Sequence, residues 1–275
     1  MTLEDELILD LSKGRNVNIE RALLITSELD EESIKQYHEK LNLLERGFEE
    51  YQQNHKSIFF DITKPKVIAR DIHNYLWENN KNRFFQEGNY LLSKVIDAQI
   101  EESSPVGNCV GLTSLYTMLC NRRGLDVAIM FMRKHIMPRV LFDDISIDVE
   151  SQYRNGFGIK ADKDAKQYSQ LALVHSAFSG KFWDAVDNKD LIKQKKYSSA
   201  MMASLPEDYS SYAAKGLVYM EDQKYTEAIA CFCKAIKLEP NEPSTYLVRG
   251  TCWIKKGDLK AASRDYDKAK EIAKK

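Results

Sequence analysis

The sequence predicts an α+β fold, in which a helical N-terminal part and a small antiparallel sheet precede an all-α repeat domain. Apolar residues recur at helical spacing through the N-terminal third, β-rich runs follow, and a 34-residue period occupies the C-terminal third. Residues 151–168 are polar and contain glycine, which predicts a loop or linker. We therefore expect two domains, 1–168 and 169–275, in agreement with the chain length of 275 residues.

The N-terminal part is predicted to be helical because its apolar residues follow a helical period. One amphipathic segment is marked by Ile34, Tyr37, Leu41, Leu44 and Phe48. Asp30 precedes this segment and is a typical helix-starting residue. Pro65 precedes a third helix, and residues 90–96 form a further short apolar helix.

The middle of the chain predicts a helix followed by strands. The apolar helix begins at Cys109 and ends at Gly124, because glycine commonly caps a helix. Three strand-like runs follow, at 127–131, 135–142 and 145–149. Asp143 and Asp144 form the expected turn between the last two runs. Pro138 predicts an edge position or a bulge, because proline has no N–H to donate within a sheet.

The C-terminal third contains an internal repeat of 34 residues. Equivalent residues are Pro206 and Pro240, Tyr212 and Tyr246, Gly216 and Gly250, Tyr219 and Trp253, Ala228 and Ala262, Phe232 and Tyr266, and Ala235 and Ala269. This alternation of small and large residues resembles the tetratricopeptide repeat, a helix–turn–helix unit. Two repeats are clear, and a degenerate third is expected at 173–206, where Gln194 and Ser198 replace the expected alanine and aromatic residue. Such repeats present concave faces that suit a protein or peptide partner.

Composition excludes several classes of protein. The net charge of -1 argues against a nucleic-acid binder, and no apolar run reaches the roughly 18 residues of a membrane span. The acidic N-terminus lacks the pattern of a signal peptide, which predicts a cytoplasmic location. The odd count of five cysteines does not indicate a disulfide framework. No metal or organic cofactor is predicted, and the oligomeric state is not indicated.

Cys109, His135 and Asp148 are the candidate catalytic residues. A helix N-terminus favours a thiolate, because its free N–H groups and dipole stabilise negative charge. His135 begins a predicted strand and could act as general base and acid towards Cys109. Asp148 lies on the polar face of the next strand, and a hairpin could bring it beside His135 to orient the ring. The Cys109 N–H would contribute to an oxyanion hole, whereas Asn108 is expected to shape the turn before the helix.

Structural roles compete with these chemical ones. Free cysteine is often simply buried, and an isolated acidic residue is normally solvated. A metal site at Cys109 and His135 would need more ligands than the segment offers.

The first 170 residues or so resemble the SirB-like branch of the transglutaminase-like superfamily. The resemblance rests on residues 18–25, 89–92, 106–116, 124–125, 135–136 and 147–148. It implies a papain-like core and acyl chemistry through a thioester, which includes peptide hydrolysis, deamidation and transamidation. Many members of this branch have proline where this chain has Cys109, whereas active members of the superfamily have cysteine. The Pro-Gly pair that often precedes the histidine is Arg133-Lys134 here.

We therefore favour a cysteine-dependent enzyme acting on amide bonds, whose repeats recruit a protein partner. The alternative is a catalytically inactive scaffold with the same fold, which would act as an interaction or regulatory module. The two hypotheses differ in whether the thiol of Cys109 is held beside the imidazole of His135.

Overall fold

A computed structural model describes most of the chain as two compact units. The described residues are 1–55, 64–78, 83–85, 89–102, 105–132 and 135–274. The first unit comprises Met1–Leu7 and Val17–Ala177, and the second comprises Ile8–Asn16 and Phe178–Lys275. The domain boundary after residue 168 stays a prediction.

The N-terminal part is helical, as the apolar periodicity predicts. Its helices are α1 (Leu3–Ser12), α2 (Ile19–Thr26), α3 (Glu31–Asn54), α4 (Pro65–Leu76) and α5 (Leu92–Ile100). Asp30 caps α3 by accepting a hydrogen bond from the Ser33 amide at 2.8 Å, and Pro65 is the first residue of α4. Ile34, Leu41 and Phe48 are buried on one face of α3, so the predicted stripe forms part of the core.

Helix α6 (Cys109–Arg122) is the central helix of the first unit. The Tyr116 hydroxyl donates to the Ala69 carbonyl of α4 at 2.9 Å. Gly124 adopts a left-handed φ of 70°, and the helix ends just before it. The prediction of a glycine stop at this position is therefore confirmed.

Four strands form one antiparallel sheet in the order β3-β2-β1-β4. They are β1 (Asp126–Met132), β2 (His135–Leu141), β3 (Ser146–Asp148) and β4 (Lys166–Tyr168). The first three strands and their antiparallel pairing are as predicted. Strand β4 was missed, because it has only three residues and none of them is fully buried. A strand this short carries almost no period-two signal.

Pro138 lies in an interior strand, which corrects the prediction of an edge position or bulge. It is paired with Ile129 of β1, and its carbonyl accepts a hydrogen bond from Val149 at 2.9 Å on the other side. Because proline has no N–H, Pro138 cannot donate a second hydrogen bond back to Val149. Val149 forms a bridge with Phe157 instead, and the regular pairing of β3 ends one residue earlier.

The second unit is helical. It contains most of α7 (Leu171–Asp187) together with α8 (Leu191–Ser204), α9 (Tyr209–Glu221), α10 (Tyr225–Leu238), α11 (Pro243–Lys255) and α12 (Leu259–Ala273). A Cβ atom added to Gly216 would lie 2.5 Å from the Phe232 ring, and one added to Gly250 would lie 3.1 Å from Tyr266. Each glycine thus allows an aromatic ring of the following helix to pack against its own, as the small–large pattern predicts.

The degenerate segment at 173–206 also folds as a pair of helices, α7 and α8. Gln194 is buried, and its side-chain amide donates to the Ala185 carbonyl of α7 at 3.2 Å. The hydroxyl of buried Ser198 donates to the Lys195 carbonyl within α8. These polar side chains are accommodated in the interior because each has a hydrogen-bond partner there.

Candidate functional site

The candidate site begins at the N-terminus of α6. Asn108 is the N-cap, and its side-chain oxygen accepts from the amides of Val110 at 3.0 Å and Gly111 at 3.1 Å. Its own amide donates to the Asn89 carbonyl at 3.0 Å. In the described part of the chain, the Cys109 amide has no such acceptor. The turn-forming role expected for Asn108 is confirmed, and the Cys109 N–H remains available to a ligand.

Two glycines allow close packing beneath Cys109. A Cβ atom added to Gly107 would lie 2.7 Å from the Asn89 carbonyl oxygen and 2.9 Å from the Val95 side chain. A Cβ atom added to Gly111 would meet the same two groups even more closely. The two glycines therefore fix how closely the start of α6 approaches α5.

A buried arginine supports the turn before Cys109. The Arg83 carbonyl accepts from the amides of Val106 at 3.0 Å and Gly107 at 3.1 Å. Its guanidinium donates twice to the Gln99 side-chain oxygen and lies over the Trp77 ring, 5.6 Å from the centroid. Burial lowers the pKa of Arg83 to about 9. The turn is thus anchored to a buried polar cluster.

His135 is held by two neighbours in the segment that follows β3. Its Nε2 atom lies 2.5 Å from Oε2 of Glu150, and its Nδ1 atom lies 3.0 Å from Nε2 of Gln152. The second carboxylate oxygen of Glu150 accepts from the Gln152 amide at 3.0 Å. The Glu150 side chain is 8% exposed and that of His135 is 22% exposed, so the pair is largely shielded from water.

The charge state of His135 depends on both Glu150 and Cys109. Burial lowers the pKa of the ring, but interactions with the Cys109 thiol and the Glu150 carboxylate outweigh it and raise the pKa to about 9. The Cys109 side chain therefore lies close enough to the imidazole to affect its protonation. The arrangement favours a charged ring at neutral pH.

Asp148 occupies a different place from the one expected. Its carboxylate forms a two-contact ion pair with Arg139, at 2.5 Å and 2.9 Å, and accepts from the Ala161 amide at 2.8 Å. Burial raises the pKa of Asp148, but Arg139 and Ala161 outweigh it and keep the pKa below its usual value. The structure thus brings Cys109 and His135 together, and the carboxylate beside the ring belongs to Glu150.

The register of the β2–β3 hairpin explains why Glu150, and not Asp148, lies beside His135. Asp148 lies directly opposite Arg139, which is four residues beyond His135 along β2, or roughly 13 Å at 3.3 Å per residue. The same register, extended past β3, brings Glu150 and Gln152 level with the start of β2. Glu150 was not among the predicted site residues, because no local feature of the sequence separates it from Asp148, two residues away. Counting outward from the Asp143–Asp144 turn places Gln152 opposite His135, and Glu150 two residues nearer the turn on the same face.

Three of the other cysteines lie in settings that discourage reactivity. Burial raises the pKa of Cys120 to about 12 and that of Cys252 to about 11, and it also raises the pKa of Cys231. Cys233 is exposed, and its sulfur accepts from the Arg249 guanidinium at 3.2 Å. Cys109 is partly exposed and lies at a helix N-terminus. It therefore differs from the buried thiols in access to solvent.

The described residues contain neither a metal-binding cluster nor a membrane-spanning helix. No group of three or more histidine, cysteine, aspartate or glutamate side chains is arranged to hold a metal ion. Over the same residues, no helix is long and apolar enough to span a membrane.

The second unit contains a groove of about 720 Å³. Its apolar lining includes Trp183, Val186, Leu217 and Val248, and the Trp183 side chain is exposed. Hydroxyl groups of Ser210, Ser244 and Thr245 and the charged groups of Lys189 and Glu221 complete the lining. A large apolar groove with a few polar groups is typical of a ligand-binding surface.

Comparison with known proteins supports the repeat assignment. The family model described as a tetratricopeptide repeat matches residues 209–242, which contain α9 and α10. The chain is 30% identical over 89 residues to Hsp70-Hsp90 organizing protein 3 of Arabidopsis thaliana, which is 32% of this chain and 15% of that protein. The chain thus spans a small part of this relative.

Two solved structures show likeness of different extent. MamA 41-end from Desulfovibrio magneticus RS-1 is 25% identical and matches 38% of this chain and 61% of its own, with a TM-score of 0.34. A crystal structure of menin, which reveals that protein's binding site for Mixed Lineage Leukemia (MLL) protein, matches 98% of this chain and 69% of its own. That match has a TM-score of 0.60 and 14% identity, which is a likeness of fold. The chain is therefore a mixed helical protein with a small antiparallel sheet and a tetratricopeptide repeat near its C-terminus.

Proposed function

We propose that this chain is a cysteine-dependent enzyme that transfers acyl groups from amide bonds. Cys109 is the nucleophile, His135 is the general acid and base, and Glu150 takes the orienting role first expected of Asp148. The observation that carries the proposal is the buried Glu150 carboxylate, 2.5 Å from one nitrogen of a ring whose protonation responds to Cys109.

The proposed reaction passes through a thioester. The Cys109 thiol gives its proton to His135, and the resulting thiolate attacks the amide carbonyl, forming a C–S bond. The carbonyl oxygen becomes an oxyanion, which the free Cys109 N–H can bind. The C–N bond then breaks, and the imidazolium of His135 protonates the departing amine. Water or a second amine attacks the thioester and regenerates the thiol, so the net reaction is hydrolysis, deamidation or transamidation.

The proposal extends to a transglutaminase-like core of the SirB-like branch. Its support is the helix that starts at Cys109, followed by an antiparallel sheet whose second strand starts at His135. Nucleophile and base thus lie at the starts of α6 and β2, within one unit. Glu150, two residues beyond the expected Ile147-Asp148 pair, completes the site.

The test measures how fast iodoacetamide alkylates each cysteine in the intact chain. Peptide mass spectrometry identifies the alkylated residues. We expect Cys109 to react at least about 10-fold faster than Cys231 at neutral pH, because Cys109 interacts with the imidazole of His135 whereas burial raises the pKa of Cys231. The His135→Ala variant should lose that advantage, and buried Cys120 serves as the unreactive internal control. Equal rates at Cys109 and Cys231 in the folded protein would contradict the proposal.

A second candidate function is that of an adaptor, favoured by the tetratricopeptide match and by the groove of about 720 Å³. The name of the matched plant protein refers to the organisation of other proteins, and we propose a protein or peptide partner here as well. This function is compatible with catalysis and also with an inactive first unit.

Two surface variants test the adaptor function. Leu217→Lys places a charge in the groove, whereas Ile192→Lys places one at an 83% exposed position outside the groove lining. Proteins captured by the wild type and by the Ile192→Lys variant, but lost with Leu217→Lys, would be groove-dependent partners. Capture that is identical for all three chains would contradict binding in the groove.

A further inference from the structure

The turn formed by residues 150–156 carries the carboxylate that contacts His135, and its own backbone closes it. The Glu150 amide donates to the Gly156 carbonyl at 2.9 Å, and the Gly156 amide donates to the Tyr153 carbonyl at 3.0 Å. A Cβ atom added to Gly156 would lie 1.9 Å from the Glu150 carbonyl oxygen, so the two ends of the turn are in close contact. A contact that fixes this turn therefore also fixes the Glu150 carboxylate.

His73, a buried residue of α4, contacts the far side of this turn. Its Nε2 atom lies 3.1 Å from the Arg154 carbonyl oxygen, and the Tyr153 backbone also interacts with the ring. A carbonyl oxygen only accepts, so Nε2 carries a hydrogen and donates it. His73 is 1% exposed, and the contact joins residues 81 positions apart in the chain.

His73 makes this contact as a neutral ring. Burial lowers its pKa to about 4, and the nearby charge of Arg83 acts in the same direction. The backbone of the turn and the Glu150 carboxylate oppose this shift but do not outweigh it. A neutral N–H brings no charge to the site, so its effect on His135 is exerted through the position of the turn.

The same histidine contacts the helix that starts at Cys109. The rings of His73 and Tyr116 meet edge to face, with centroids 6.4 Å apart and planes at 72°. The Tyr116 hydroxyl donates to the Ala69 carbonyl, one turn before His73 on α4. His73 thus lies where α4, α6 and the 150–156 turn meet, between the helix of the nucleophile and the turn of the carboxylate.

We propose that His73 is a positioning residue, which anchors the 150–156 turn to α4 through the Arg154 carbonyl and thereby holds the Glu150 carboxylate against His135. This inference rests on the proposed function for its chemical meaning. It adds a residue of α4 to a site formed by α6 and the β2–β3 hairpin. Its effect on His135 can be measured without a substrate.

The experiment is an NMR titration of the His135 ring in the full chain, comparing wild type with His73→Phe and His73→Gln. Phenylalanine fills the space of the imidazole but cannot donate to the Arg154 carbonyl, whereas the side-chain nitrogen of glutamine reaches the place of Nε2 and can donate. Because a displaced turn weakens the contact of Glu150 with the ring, we expect the His135 midpoint to fall by about half to one pH unit in His73→Phe. The midpoint should return to the wild-type value in His73→Gln. Cys109 alkylation at neutral pH should slow by about 3-fold or more in His73→Phe alone.

Tyr116→Phe is the matched control, because the Tyr116 hydroxyl makes a buried hydrogen bond of the same kind, from a side chain to the Ala69 carbonyl. This control should leave the His135 midpoint unchanged. An equal fall in Tyr116→Phe or in His73→Gln would mean a general loosening of the unit and would overturn the proposal, as would an unchanged midpoint in folded His73→Phe. If His73→Phe does not fold, His73→Asn takes its place beside His73→Gln, because the shorter side chain does not reach the place of Nε2.

The result for His73 is separable from the result for Cys109. A midpoint that responds as expected, in a protein whose Cys109 reacts no faster than Cys231, would keep the role of His73 and remove the proposed enzyme. An unresponsive midpoint together with a reactive Cys109 would remove the role of His73 and keep the proposed enzyme.

Discussion

Replacing Glu150 by glutamine is the change that most directly probes the site. The structure places one carboxylate oxygen 2.5 Å from Nε2 of His135, in a side chain that is only 8% exposed. Glutamine keeps the shape and removes the charge. We expect the charged ring to lose one of the two partners, Cys109 and Glu150, that raise its pKa, so that the pKa falls from about 9 towards the ordinary value of 6.5.

The magnitude follows from the size of the shift. The difference between 6.5 and about 9 corresponds to about 3 kcal/mol of preference for the imidazolium, shared between Glu150 and Cys109 and set against the cost of burial. Solvent contact of the ring reduces this figure further. We therefore expect Glu150→Gln to lower the pKa of His135 by about 1 to 2 units and to slow Cys109 alkylation at neutral pH by about 10-fold or more.

The control for this experiment is Asp148→Asn, which neutralises the other buried carboxylate of the hairpin. Asp148 is bound to Arg139, so this change should leave the His135 titration unchanged and instead reduce stability by about 1 to 3 kcal/mol. The assays are ring NMR, alkylation kinetics and urea unfolding. A His135 shift in Asp148→Asn without one in Glu150→Gln would refute the reasoning from the hairpin register.

Three further predictions concern stability. The pKa of His135 is about 9 in the folded chain against 6.5 in the unfolded chain, so the charged ring should stabilise the fold below pH 6.5. This stabilisation should be lost as the pH rises through 9. Urea unfolding across this pH range should show the loss in wild type and not in His135→Gln. Gly111→Ala should destabilise the first unit by about 1 to 3 kcal/mol, although alanine normally favours a helix, because its Cβ would collide with the Asn89 carbonyl. Phe232→Ala should cost about 3 to 5 kcal/mol in the second unit, since this fully buried ring fills the space above Gly216. Thermal unfolding would measure both changes, and a stabilised Gly111→Ala or a neutral Phe232→Ala would contradict the packing described.

Features that depend on neighbouring residues were predictable from the sequence. The helix that starts at Cys109 is read from Asn108 and the apolar run that follows, and its end from Gly124. The repeat was readable because glycine and an aromatic residue recur in register, as Gly216 and Phe232 show. In each case the decisive interaction lies within one element or between consecutive elements, so a local pattern contains it.

The identity of the carboxylate at His135 was decided by the tertiary structure alone. Glu150 and Asp148 are two residues apart and have the same polar character, and only the pairing of β2 with β3 determines which of them reaches the ring. Each residue of offset along a strand moves a side chain by about 3.3 Å, which exceeds the tolerance of a hydrogen bond. The sequence by itself determined a thiol at a helix start, an imidazole at a strand start and a helical repeat. The long-range hydrogen bonds of the hairpin decided which acidic residue, and with it Gln152, completes the site.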